Sequence, residues 1–125
     1  MSSNRLRIAR VSELVPGQSR TFELEHEVGR VPGFLLCHEK AGLVAYLNRC
    51  PHWSVDLDLG DGRFYAEDVD RIYCKNHGAL FRVSDGVCDH GPCLGQSLVR
   101  CAVELEGDDA WVSLVHRLRC TINNR

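Results

Sequence analysis

Residues 48–97 are rich in glycine, cysteine, histidine and aspartate, and they contain few alternating apolar runs. Such a stretch supplies little hydrophobic core of its own, so we expect something else to order it. A bound metal centre would contribute that folding free energy directly, because its ligands come together only in the folded chain. The middle of the chain is therefore predicted to fold around a metal site.

The flanking segments have the pattern of short β-strands joined by turns. Glycine or proline recurs about every ten residues, and Phe22 and Leu24 alternate with glutamates. Alternation of this kind is typical of half-buried strands. No helical stripe is longer than the single turn expected at residues 11–14. The sequence predicts an all-β, antiparallel sandwich or barrel base, with hairpins at 33–38 with 43–47 and at 98–106 with 110–115, and with 99, 101, 103 and 105 on one face.

Length, composition and charge exclude several classes of protein. A chain of 125 residues is the length of one domain, so we expect a single domain over 1–125 with the metal-binding subdomain at about 48–97. The net charge of -2 predicts no nucleic-acid or membrane partner. The chain has no long apolar run and no signal-peptide pattern, so we expect a cytoplasmic protein. Its seven cysteines are an odd number and are therefore not expected to form a secreted disulfide framework.

Two short motifs in the middle segment pair a thiol with an imidazole. The first is Cys50-Pro51-His52 and the second is Cys74-Lys75-Asn76-His77. Two such loops side by side supply two sulfur and two nitrogen ligands, the donor set of a Rieske [2Fe-2S] centre. With both cysteines on one iron and both histidines on the other, the potential lies at roughly -150 to +300 mV. A structural zinc site uses the same donors and is the alternative, but zinc motifs usually pair like with like.

Three stretches resemble the Rieske-type ferredoxin family: Asn48-Arg-Cys-Pro-His-Trp53, Cys74-Lys-Asn-His-Gly-Ala-Leu-Phe81 and Asp85-Gly-Val-Cys-Asp-His-Gly-Pro-Cys93. The resemblance implies one [2Fe-2S] cluster per chain, inserted into a Rieske-like β base. It implies that Cys50, His52, Cys74 and His77 are the ligands. It also implies that Gly78 follows the second histidine and that Gly91 and Pro92 cover the cluster; Trp53 and Asn76 are expected beside it.

Two departures from the high-potential members of that family are informative. The extra cysteine that those proteins carry in each ligand loop is missing, and Ala79 stands where they have a hydrogen-bonding serine. Fewer hydrogen bonds to the sulfurs stabilise the reduced cluster less. The resemblance therefore implies a midpoint potential in the lower part of the range.

The other cysteines and histidines are assigned simpler roles. Cys88 and Cys93 flank the Gly-Pro loop and are expected to be unpaired thiols that pack it, with a disulfide as the alternative. Cys37, Cys101 and Cys120 lie in apolar runs and are expected to be buried. His26, His38 and His116 are not expected to be ligands, and His90 is expected beside the cluster or in solvent.

The function implied by the resemblance is electron transfer by a chain that is not itself an enzyme. We expect it to pass one electron from a reductase to an oxygenase or similar acceptor, with no small-molecule substrate. Acidic residues between Trp53 and Cys74 form either a solvated loop or a collar that steers a basic partner. The alternatives are a small subunit of a ring-hydroxylating or nitrite-reductase-like oxidoreductase, and a redox sensor.

Overall fold

A computed structural model describes residues 5–26, 29–51 and 55–114, and these residues form ten β-strands. A single 3-10 turn at Val11–Glu13 is the helical turn that the sequence predicts there. In chain order, the strands are β1 (Leu6–Arg10), β2 (Ser19–His26), β3 (Gly29–His38), β4 (Gly42–Leu47), β5 (Tyr65–Ala66), β6 (Arg71–Tyr73), β7 (Leu80–Phe81), β8 (Cys88–His90), β9 (Arg100–Glu106) and β10 (Asp109–Leu114).

The strands form two antiparallel sheets. The larger sheet, which we call the base, has the order β1-β10-β9-β4-β3-β2, and its edge strands β1 and β2 contact each other, so it nearly closes. The smaller sheet has the order β5-β6-β7-β8 and enters the chain between β4 and β9. The predicted all-β class is confirmed, and both predicted hairpins are present, as β3–β4 and β9–β10. No helix in the described residues is long and apolar enough to cross a membrane.

Strands β3 and β4 are buried on both faces, which explains why their sequences read as continuous apolar runs. Phe34 and Tyr46 face the smaller sheet. Leu35, Ala45 and Leu47 face the interior of the base, where they pack with β2, β9 and β10. The β3–β4 hairpin is therefore the wall that separates two hydrophobic cores.

The apolar side chains of residues 48–97 pack into a core that they share with β3 and β4. Leu57, Phe64 and Ile72 are fully buried, and the Phe64 ring stacks on Phe34 with centroids 3.9 Å apart and planes 7° from parallel. These apolar residues stand singly in turns and in strands of two or three residues, so the sequence contains no periodic run that would predict their burial. They form a core only because they pack onto the outer face of β3 and β4.

The prediction that one face of β9 is buried fails near the two ends of the strand. Cys101 is buried, but Leu105 is 58% exposed and Val99, just before the strand, is 40% exposed. The reason is that β9 pairs with β4 only at Cys101 and Arg100. The rest of β9 pairs with β10 alone and extends beyond the core.

Candidate metal centre

Two buried cysteines begin the two loops in which the sequence places the ligands. Cys50 follows the end of β4, and its N–H donates to the Val55 carbonyl at 2.9 Å. Cys74 directly follows β6, and its N–H donates to the Ala79 carbonyl at 2.9 Å. Each cysteine is fully buried within three residues of a strand end, so its position depends on the strand before it.

The sulfur atoms of Cys50 and Cys74 and a ring nitrogen of His77 all lie within 4.8 Å of one another. Soft thiolates combined with imidazole suit zinc and iron–sulfur clusters and do not suit magnesium or calcium. The three side chains therefore fit a Rieske-type centre. His52, the predicted fourth ligand, and its neighbour Trp53 lie outside the described residues.

The backbone around Cys74 provides hydrogen bonds to its sulfur. Burial raises the pKa of the Cys74 thiol, and the nearby Cys50 thiol raises it further. The backbone N–H groups of His77 and Asn76 donate to the same sulfur and oppose that increase. Amide donors of this kind stabilise a metal-bound thiolate. Asn76, predicted beside the cluster, thus contacts the centre through its backbone, while its side chain is exposed.

The predicted covering loop packs directly on the second ligand loop. Gly91 has a φ of 110°, and a Cβ built on it would lie 2.8 Å from the Ala79 Cα. Only glycine permits both this backbone angle and this approach. Gly78, which has a φ of 74°, donates its N–H to the Cys74 carbonyl at 2.8 Å and closes the turn. Pro92 is exposed beside Gly91, on the outside of the loop.

Cys88 and Cys93 are buried thiols with no disulfide between them. Burial raises the pKa of Cys93 to about 12, and the neighbouring Cys88 and Cys50 thiols contribute. The Cys88 thiol donates to the His90 carbonyl at 3.2 Å. Buried thiols that remain protonated at neutral pH are poor nucleophiles. This agrees with the prediction that the pair packs the loop.

The remaining cysteines and histidines are placed as follows. Cys101 is buried as predicted, whereas Cys37 is only half-buried, so that prediction is met in part. His38 is engaged away from the centre, at 2.7 Å from Asp70, and His90 is exposed. The side chain of His26, together with His116 and Cys120, lies outside the described residues.

Sequence reasoning missed two buried polar residues beside the first ligand loop. Asn48 is 8% exposed and Asp58 is 4% exposed. Asn48 belongs to the quoted motif, but nothing in the pattern distinguishes its side chain from a surface amide. Asp58 is one of the acidic residues between Trp53 and Cys74, for which the sequence predicts either a solvated loop or a collar. Asp58 stands between Leu57 and Leu59 in the sequence, and its burial follows from the fold. The only sequence signal for that burial is the apolar Leu57 next to it.

The fold and the site together define a β-protein with a mixed thiolate and imidazole metal centre. Residues 4–112 match the Rieske [2Fe-2S] domain family. The chain belongs to this family, and its cofactor is a [2Fe-2S] cluster. The zinc alternative is therefore set aside.

Several solved structures are similar. The ferredoxin of carbazole 1,9a-dioxygenase from Nocardioides aromaticivorans IC177 has 25% identity and a TM-score of 0.68, over 90% of this chain and 99% of its own. A chain of the complex of reduced oxygenase and oxidized ferredoxin in carbazole 1,9a-dioxygenase has 25% identity and a TM-score of 0.69, over 94% and 100%.

The terminal oxygenase of carbazole 1,9a-dioxygenase from Novosphingobium sp. KA1 shares the fold alone, with 17% identity and a TM-score of 0.70, over 95% of this chain and 32% of its own. A comparison with curated proteins gives no significant match. The predicted resemblance to Rieske-type ferredoxins is confirmed.

Proposed function

We propose that this chain is an electron carrier that accepts one electron from a reductase and delivers it to an oxygenase, without catalysing a reaction itself. The observation that carries this proposal is the likeness, along nearly the whole of both chains, to the ferredoxin of carbazole 1,9a-dioxygenase. A ferredoxin of that system also forms a complex with the oxygenase. A cytoplasmic location is part of the proposal, and the unpaired buried thiols support it.

The ligand set that we propose is Cys50 and Cys74 on one iron and His52 and His77 on the other. The convergence of Cys50, Cys74 and His77 supports three of these, and the spacing of the first motif supports His52. The proposed subdomain, about residues 48–97, contains all four. The cluster supplies reversible one-electron chemistry, and the protein supplies its environment.

Among the described residues, the thiols of Cys50 and Cys74 are buried more deeply than the imidazole of His77. Cys50 and Cys74 are fully buried, and the loop at Gly91 covers the second ligand loop. His77 is only half-buried, and the adjacent Asn76 and Gly78 are exposed. A half-buried imidazole at the protein surface provides a short route to a docked partner. We infer that the electron enters and leaves through the edge at His77.

The ligand assignment is tested with two buried cysteines of the same core. Cys74→Ala should abolish iron binding, because it removes a sulfur that converges with Cys50 and His77. Cys88→Ala removes an equally buried thiol that is not a proposed ligand. It should retain iron and the visible absorption of the cluster. Equal iron content in the two variants would contradict the assignment.

The acidic residues near the ligand loops differ in how freely their charges face solvent. Asp61 pairs with Lys75, and Asp58 is buried. The remaining exposed acidic residues are Asp56, Glu67, Asp68 and Asp70. Electrostatic steering by these four would be weak at physiological ionic strength. We therefore propose that contact with the partner relies chiefly on surface shape, with charge as a minor contribution.

The electron-carrier proposal is tested by mixing the reduced, cluster-loaded protein with the oxidised terminal oxygenase of carbazole 1,9a-dioxygenase from Novosphingobium sp. KA1. The expected result is oxidation of one electron per chain, with a rate that falls only slightly between low and physiological salt. The ferredoxin from Nocardioides aromaticivorans IC177 serves as the comparison. If the reduced protein remains reduced while that ferredoxin is oxidised, delivery to this class of oxygenase is excluded.

A second candidate function is an electron-entry subunit of a larger oxidoreductase. The same fold occurs in a terminal oxygenase of which this chain matches 32%, and that observation favours it. The two candidates differ in the lifetime of the complex. A subunit copurifies at a fixed ratio with its partner, whereas a carrier dissociates between turnovers.

A further inference from the structure

The first ligand loop, defined here as residues 48–58, is closed by a buried polar bridge. The Asn48 side-chain Oδ1 accepts the Leu57 N–H at 2.8 Å. Its Nδ2 donates to Asp58 Oδ1 at 3.1 Å. The amide side chain of Asn48, at the start of the loop, therefore bonds the two residues at its end, Leu57 and Asp58. Both polar side chains are buried, so solvent competes little for these hydrogen bonds.

The bridge is anchored at both of its ends. The backbone N–H of Asn48 donates to the Pro32 carbonyl in β3 at 2.9 Å. Asp58 Oδ2 accepts the Gly62 N–H at 2.9 Å. Burial alone would raise the pKa of the Asp58 carboxyl, but hydrogen bonds from Asn48, Gly62 and Gly60 outweigh burial and lower it. Asp58 is thus an ionised group that amide donors hold in place.

The backbone of Leu57 connects this bridge to the second ligand loop. Its N–H is held by Asn48, and its carbonyl accepts the Lys75 N–H at 2.9 Å. Asn48 stands two residues before Cys50, and Lys75 stands one residue after Cys74. A short chain of hydrogen bonds through one residue therefore sets the separation of the two thiol-bearing segments. A cluster needs its donors placed to within a few tenths of an ångström.

We propose that Asn48 and Asp58 are positioning residues for the metal centre, and that their bridge, acting through Leu57, holds the Cys50 segment against the Cys74 segment. This rests on the ligand assignment of the proposed function. Removing one partner would leave a buried polar group unsatisfied and would release the first loop at its closure point. The expected consequence is faster loss of the cluster from a chain that keeps its fold.

An exchange of the two side chains tests the proposal, because it preserves the hydrogen bonds that join positions 48, 57, 58 and 62. Asn48→Asp alone sets two carboxylates against each other. Asp58→Asn alone sets an amide NH2 against a donor, because Asn48 and Gly62 donate to different oxygens of Asp58 and the new amide keeps only one oxygen. In the double variant, the carboxylate at position 48 accepts from Leu57 and from the amide at position 58, whose oxygen accepts from Gly62. The pattern is then complete again.

The measurements are the rate of iron release from the cluster-loaded protein to a chelator and the EPR spectrum of the reduced cluster. Each single variant should release iron about tenfold faster, the factor that corresponds to the loss of one buried hydrogen bond. Each should also show a shifted EPR signal. The double variant should return to within about twofold of the unsubstituted rate and should recover the original signal. Non-additivity of this kind is the signature of a direct interaction.

The control is Val112→Ala, which weakens the other core, inside the base. With each protein held equally far below its unfolding temperature, the control should release iron at the unsubstituted rate. The proposal is overturned if the single variants behave like this control, or if the exchange does not restore the rate. Where a single variant does not fold, the double variant alone decides. These readouts concern the cluster itself, so they remain valid if electron delivery to an oxygenase fails.

Discussion

At the scale of single residues, the loop that covers the second ligand loop contains two glycines, Gly91 and Gly95, with different surroundings. Gly91 approaches the Ala79 backbone more closely than any Cβ allows. Gly95 lies in the same loop with a φ of 88°, but a Cβ there would meet nothing within 4 Å. The two glycines therefore separate the cost of backbone strain from the cost of a steric clash.

We predict that Gly91→Ala destabilises the protein more than Gly95→Ala does. Both substitutions incur a penalty of roughly 1–2 kcal/mol for a backbone with positive φ. Only Gly91→Ala adds a clash with backbone, which costs about 1–3 kcal/mol more. Urea unfolding of the two cluster-loaded variants measures the difference. Equal destabilisation would show that the loop moves away from Ala79 without cost.

At the scale of elements, side chains at one end of the β3–β4 hairpin join the two sheets. Asp70, in the turn before β6, accepts hydrogen bonds from the Tyr65 hydroxyl at 2.6 Å and from the His38 ring at 2.7 Å. The His38 Nδ1 accepts the Ala41 N–H at 2.9 Å, so the proton on the ring faces Asp70. A residue of the base thus holds the β5–β6 hairpin of the smaller sheet.

This junction predicts a pH dependence on the alkaline side. The hydrogen bond to Asp70, followed by burial, raises the pKa of Tyr65 to about 12. A raised pKa means that the stabilisation is fully present below the unfolded value of about 10 and is lost as the pH rises through 12. Tyr65→Phe should therefore flatten the fall in stability between pH 10 and 12. Thermal unfolding across this interval provides the measurement.

The matched control for that prediction is Tyr73→Phe on β6. In the described residues, the structure shows no carboxylate bonded to the Tyr73 hydroxyl. Burial also raises the pKa of Tyr46 to about 12. Both variants keep Tyr46, so the stability of each should still fall somewhat as the pH rises toward 12. An unchanged curve in Tyr65→Phe would show that the junction does not contribute.

At the scale of the whole molecule, seven carboxylates have lowered pKa values, and several of them, such as Glu106 with Arg5, join segments that are distant in the chain. In six of the seven, the largest cause is a side-chain hydrogen bond from a neighbour; in Asp58, backbone and amide donors outweigh burial. The seven are Asp58, Asp61, Asp70, Asp85, Asp89, Asp108 and Glu106.

The sign of the acid dependence follows from these shifts. A lowered pKa means stabilisation that is present above the unfolded value of about 4 and is lost as the pH falls below it. We predict a decline in the unfolding free energy below about pH 4. Asp89→Asn, which removes the partner of Arg71, should make that decline shallower. Urea unfolding at pH 7, 4 and 3 measures both slopes, and identical slopes would contradict the prediction.

Removal of the cluster should affect the two sheets unequally. The smaller sheet has strands of two or three residues and borders the ligand loops, whereas the base has its own core between long strands. We predict that chelation of the iron lowers the hydrogen-exchange protection of β6 and β7 while that of β3 and β4 is retained. Loss of protection in both sheets at the same rate would indicate one cooperative unit.

Much of this molecule can be read from local patterns. The β3–β4 hairpin follows from two apolar runs around a turn, because strand pairing over a short connection needs only local information. The kind of donor set proposed for Cys50, Cys74 and His77 follows from their residue types, because the chemistry of thiolate and imidazole donors is independent of the fold. These features are short-range, and the sequence by itself determines them.

Other features exist only in the tertiary structure. Phe64 becomes core because it meets Phe34, which lies thirty residues earlier in the chain. Asp58 becomes a buried anion because Asn48 and Gly62 supply hydrogen-bond donors. Asp56 is the same residue type two positions earlier, and it is exposed. Burial and hydrogen bonding depend on which distant segments meet. The sequence by itself therefore determined which thiols and imidazoles could serve as donors, because donor chemistry belongs to the residue type, and the fold decided that Cys50, Cys74 and His77 come together.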